Sequence, residues 1–168
     1  MTETLSPALP ADVEALVHIV LDAACSRNIA LATAESCTGG LLASLLTDVE
    51  RSGRAFERGF VCYSEEAKRE LLGIAEQDIV RCGAVSREVA IAMAQGALGK
   101  SHADVVLAVT GFAGAAGPDD EEGLVHFACA RRGGGITHRE AHFGAVGRGA
   151  IRIASLRAAL EMMRDAMG

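Results

Sequence analysis

At 168 residues, half of them hydrophobic, the chain is sized for one domain with one core spanning 1–168, with residues 1–10 expected to be a flexible N-terminus. A net charge of -6 and a single Tyr speak against general nucleic-acid binding, which needs a basic surface; they leave room for one phosphate held by an Arg and backbone N–H groups. No apolar segment reaches the ~20 residues that cross a bilayer, so no membrane association is expected. The N-terminus lacks the basic-then-apolar order of a signal peptide. Five cysteines (25, 37, 62, 82 and 129) form no C-x-x-C pair and read as free thiols, which points to a reducing, cytoplasmic compartment.

In chain order, residues 12–26 carry Val13, Leu16, Val17, Val20, Leu21 and Ala24 at a period near 3.6, so a helix with Asp12 as N-cap. "IALATA" (29–34) is a buried strand and 39–49 a helix with Thr38 as cap. "RSGRAFERG" (51–59) reads as a charged turn and "FVCYS" (60–64) as a strand. Ser64 opens a short helix ending at Gly73, a second covers 75–81, and Ser86 caps a third over 87–98. "ADVVLAVTGFAG" (103–114) is the strongest buried-strand signal, followed by the polar loop 114–123. "LVHFACARR" and "ITHREAHF" flank "GGG" as a hairpin, and 149–166 closes the chain as a helix. Early strands alternating with helices predict parallel pairing with helices on both faces; the late hairpin adds antiparallel strands. The expected fold is a three-layer α/β/α sandwich with a mixed, mainly parallel sheet.

Four stretches carry chemistry. Ser36 lies between a strand and a helix N-terminus, where open α/β sheets bind ligands and helix N–H groups can stabilise an oxyanion. Ser-x-Thr before a helix is also ordinary capping chemistry, and Gly39-Gly40 also suits a tight turn. Cys37 has no local His and reads as a packing residue. Tyr63 and Lys68 are placed to point over one strand end; a desolvated Lys beside a Ser is a general base, while a surface Lys paired with Glu65 is the plain alternative. Gly111 and Gly114 in "TGFAG" let backbone approach a ligand, or simply make a sharp turn, and Thr110 offers a hydroxyl. Arg148 opens the last helix, as a monophosphate ligand or a solvated side chain. His18, His102, His126, His138 and His142 show no metal spacing, and no metal or organic cofactor is expected.

Read together, "TAESCTGGLLASLLT", "FVCYSEEAKRELLGI", "GAVSREVAIAMAQGA", "ADVVLAVTGFAG" and "GRGAIRIASLRAAL" resemble the CinA C-terminal domain family in order and over nearly the whole chain. The resemblance implies hydrolysis of the carboxamide of nicotinamide mononucleotide to nicotinate mononucleotide and ammonia, a pyridine-nucleotide salvage step. It implies the stand-alone form, without the N-terminal domain of many relatives, and a homo-oligomer, with a dimer favoured. By the same resemblance Ser36 is the nucleophile, Tyr63 and Lys68 activate it, Thr110 lies on the amide or oxyanion side, and Arg148 takes the phosphate. Substrate-binding N–H groups are expected around Thr38, Gly39 and Gly40 or at Gly111, with Gly114 beside them. The segment "AAGPDDEEGLV" departs from the family's Lys-Pro-Val-Gly pattern, putting acids beside the expected pocket, and Arg58-Gly59-Phe60 replaces a Gly-Gly. A nucleotide-binding or regulatory module without turnover is the alternative this departure raises.

Overall fold

Period-2 alternation in the buried strands divides the core into two unequal layers. Leu31, Val105, Leu107 and Val109 face one way and join the branched side chains of one cluster; Ala32, Ala34, Val106 and Ala108 face the other. The computed structural model describes residues 9–50, 53–114 and 116–168. Its elements are α1 (Ala11–Ser26), β1 (Leu31–Glu35), α2 (Leu41–Thr47), β2 (Phe56–Val61), α3 (Glu65–Leu72), α4 (Glu76–Cys82), α5 (Arg87–Gly99), β3 (Val105–Gly111), β4 (Leu124–Arg131), β5 (Ile136–His142) and α6 (Arg148–Met167). The expected element order holds throughout. Of the expected flexible terminus, residues 1–8 lie outside the described residues.

The five strands are ordered β2-β1-β3-β4-β5. β1 pairs parallel with β2 and with β3, whereas β3–β4 and β4–β5 are antiparallel. Helices α1, α2 and α6 pack on the bulky face and α3–α5 on the alanine-rich face. This is the mixed three-layer sandwich expected. From β1 the chain moves one way to β2 and then returns past β1 to β3. The C-terminal ends of β1 and β3 therefore flank the point where strand order reverses, the crevice in which open α/β sheets bind ligands.

Three local expectations are corrected. β2 is Phe56–Val61, not 60–64, so most of the expected turn 51–59 is strand or 3-10 turn, and Arg51 and Ser52 lie outside the described residues. Among the described residues β2 is an edge strand that pairs only with β1, so its charged side chains, including the Glu57–Arg58 ion pair, reach solvent and hide the strand pattern. Tyr63 accordingly follows the strand instead of ending it. Asp12 does not cap α1: Pro10 takes that position and Asp12 pairs with Arg157 of α6. Ser64 and Ser86 do cap, accepting from the Ala67 and Val89 N–H groups.

Candidate active site

Adjacent residues at a strand end point to opposite faces, and the end of β1 uses both. Glu35 points to the α2 side. It is fully buried, and its carboxylate accepts hydrogen bonds from Thr38 Oγ1 (2.6 Å), the N–H groups of Gly40 (3.1 Å) and Leu42 (3.0 Å), and that of Ala43 (2.8 Å). A side-chain anion thus saturates the positive N-terminus of α2. This corrects the expected role of Thr38, whose hydroxyl serves Glu35 and caps nothing. The N-cap position belongs to Gly40, at φ 94° after Gly39 at φ 61°, so two successive left-handed residues make the turn and glycine is required at both.

Ser36 points to the other side, toward α3. There Lys68 Nζ lies 3.0 Å from Ser36 Oγ. Lys68 is only 2% exposed and does not pair with Glu65. Burial, with no carboxylate at hydrogen-bond distance, holds its pKa below the ordinary lysine value, which favours the free amine. Burial acts oppositely on the neighbouring Cys37 thiol, pushing it up to about 12, so Cys37 stays protonated at neutral pH. Of two adjacent nucleophile types, the hydroxyl has the base.

Ser36, Cys37, Tyr63, Lys68, Ala84, Val85 and residues 110–114 line a cleft of about 260 Å³ together with Arg148. It therefore gathers Ser36, Tyr63, Lys68, Thr110, Gly111, Gly114 and Arg148 from four separate stretches. Thr38, Gly39 and Gly40 are not among its lining residues. The Thr110 hydroxyl donates to the Ala84 carbonyl (2.9 Å), tying the end of β3 to the loop before α5. Gly111 answers to packing: a Cβ there would come within 2.8 Å of the Leu124 carbonyl oxygen on β4. Gly114 makes room for Arg148, since a Cβ would lie 2.5 Å from its Nη2. Tyr63 is 66% exposed at the cleft, and among the described residues its hydroxyl has no hydrogen-bond partner.

The N–H groups of Cys37 and Thr38 take no part in the hydrogen bonds that close the turn among the described residues. With the Gly40, Leu42 and Ala43 amides committed to Glu35 and that of Gly39 to the Ser36 carbonyl, Cys37 is the residue of this turn that offers its N–H while lining the cleft with Ser36. The turn is also held from outside by Arg152, whose Nε donates to the Cys37 carbonyl (2.8 Å). Glu35 and Arg152 escaped the sequence reading. The available signals were an acid just before a Gly-Gly helix entry and an Arg four residues after Arg148, on the same helix face.

None of the acids of the unusual loop (Asp119, Asp120, Glu121, Glu122) lines the cleft. Glu121 instead holds His142 Nδ1 at 2.8 Å, and Glu140 holds His142 Nε2 at 2.8 Å. His126 and His138 meet on the hairpin (Nδ1 to Nε2, 3.1 Å), but among the described residues no group of three His, Cys, Asp or Glu is arranged to hold a metal ion. Nor is any described helix long and apolar enough to cross a membrane.

A profile of the CinA C-terminal domain matches residues 13–167. The chain belongs to the CinA C-terminal domain family. It is 46% identical over 122 residues to the nicotinamide-nucleotide amidohydrolase PncC of Escherichia coli K12, an alignment covering 71% of this chain and 74% of that one. Other members of the family are longer. The match to a CinA-like protein of Chlorobium chlorochromatii, 49% identical over 112 residues, covers 66% of this chain and only 26% of the relative. A relative from Symbiobacterium thermophilum that bears the name "Putative competence-damage inducible protein", 51% identical over 124 residues, is matched over 73% of this chain and 29% of its own length. Among solved structures, the competence/damage inducible protein CihA of Agrobacterium tumefaciens superposes with a TM-score of 0.91 at 41% identity, covering 99% of both chains.

Proposed function

We propose that the protein is a serine-dependent amidohydrolase that deamidates nicotinamide mononucleotide. The observation that carries this reading is the buried Ser36–Lys68 pair, 3.0 Å apart, with no carboxylate at hydrogen-bond distance from the lysine and with burial lowering its pKa. Lys68 as free amine takes the Ser36 proton as Oγ attacks the carboxamide carbon. The N–H group of Cys37, a residue that lines the cleft beside Ser36, is placed to receive the oxyanion of the tetrahedral intermediate. Lys68, now an ammonium, returns its proton to the departing nitrogen, which leaves as ammonia and gives an acyl-Ser36 ester. Water, deprotonated by Lys68, hydrolyses that ester to the carboxylate and regenerates Ser36. Arg148, beside Gly114 at the cleft, is the cation available to the substrate phosphate. Similarity to the amidohydrolase of Escherichia coli supports the same substrate.

Purified protein should release ammonia from nicotinamide mononucleotide, and Ser36→Ala and Lys68→Ala should each lower kcat by at least about a thousand-fold. Binding of the nucleotide without turnover by the wild type would favour the binding-module alternative. Undiminished turnover in Ser36→Ala would remove Ser36 as nucleophile.

A further inference from the structure

The ionisable groups nearest the substrate in the cleft are basic: Arg148, and Lys68, which burial shifts toward its neutral amine. On the reading above, the ring that must lie beside Ser36 is an N-alkylated pyridinium, which carries a positive charge. Among the described residues no carboxylate lines the cleft to offset that charge, and the buried acid Glu35 is turned to the other face of the sheet with its oxygens engaged by four donors. A source of negative potential that the cleft does offer is the face of an aromatic ring, Tyr63 or Phe112, whose quadrupole attracts a cation.

Tyr63 offers such a face. It lines the cleft with Ser36, it is 66% exposed, and its hydroxyl is unengaged among the described residues. Its phenol also has no part in the Ser36–Lys68 hydrogen bond, which forms directly between those two side chains. The ring is therefore free to cover a bound heterocycle without disturbing the nucleophile.

We infer that Tyr63 is a specificity-determining residue: its ring packs over the substrate's pyridinium and selects a cationic ring over a neutral one of the same shape. This rests on the proposed deamidation of a pyridinium nucleotide and deepens it. It also separates Tyr63 from Lys68, because a stacking role needs the ring and not the hydroxyl.

The test compares binding of nicotinamide mononucleotide with that of its 1,4-dihydro form, whose ring is neutral, to the full chain carrying Ser36→Ala, so that both ligands persist. The preference for the cationic ring is expected to shrink about three- to ten-fold in Tyr63→Leu and to be restored in Tyr63→Phe. A preference that Tyr63→Leu leaves unchanged overturns the inference. So does loss of preference in Tyr63→Phe equal to that in Tyr63→Leu, which would assign the effect to the hydroxyl. Because the readout is binding, a wild type that selects the cationic ring yet releases no ammonia would defeat the amidase reading and leave this one standing.

Discussion

Burying a lysine without an acid costs stability, and at residue 68 the fold accepts that cost for a base. Lys68 is lowered by burial, so protons bind it more weakly in the folded chain than in the unfolded one. The penalty is full below the folded pKa and fades as pH rises toward the ordinary lysine value of about 10.4. Two outcomes follow. The kcat/KM profile should rise with pH along a limb whose midpoint lies below about 10.4, and Ser36 substitutions should not move the corresponding titration out of that range. Lys68→Met should abolish turnover while raising Tm by a few degrees, measured by calorimetry at neutral pH. A fall in Tm would mean that the Ser36 hydrogen bond outweighs desolvation. Glu35 is also buried, but four donors hydrogen-bond its carboxyl group. Glu35→Ala strands the Gly40, Leu42 and Ala43 N–H groups and should cost about 3 kcal/mol in urea unfolding.

At the scale of elements, the divergent loop after β3 is held by a titrating clamp. His142 on β5 bridges Glu121 of the loop and Glu140 of its own strand, and the Glu121 hydrogen bond, followed by that of Glu140, raises its pKa. A raised histidine contributes its clamp fully below the ordinary value of about 6.5, and the contribution is lost as pH rises through the folded value. An NMR titration of the His142 ring should give a midpoint above about 6.5 that falls toward it in Glu121→Gln; an unmoved midpoint would show the loop free of β5. From sequence alone the four acids of this loop looked like a threat to an anionic substrate, because spacing cannot say which way a side chain turns. The elements themselves were legible where periodicity was strong, as in α1, β3 and α6. β2 was not, because an edge strand satisfies one side of its backbone with solvent and carries polar residues that mimic a turn. Ser36 and Lys68 were legible as residue types, but Glu35 was not, since its role depends on α2 folding back over the end of β1.

For the whole molecule, the distance between Ser36 and Lys68 is set by how closely two layers approach. Lys68 rides on α3, which touches the sheet's alanine-rich face through α5. The small side chains Ala32, Ala34, Ala108 and Ala128 let α5 settle deeply, and Gly96 on α5 does the same for α3. A Cβ at Gly96 would sit inside the contact distance of the Leu72 carbonyl oxygen, which is backbone at the last residue of α3 and cannot rotate away. Gly96→Ala must therefore push α3 outward, carrying Lys68 from Ser36 although neither residue is altered. We expect a loss of about 1–3 kcal/mol in stability together with a kcat at least about ten-fold lower. Gly99→Ala on the same helix is the control. Its Cβ would meet nothing within 4 Å, so both measurements should stay within error or improve slightly through helix propensity. Equal kcat in the two variants would mean that α3 keeps its lysine in register independently of how closely it packs on α5.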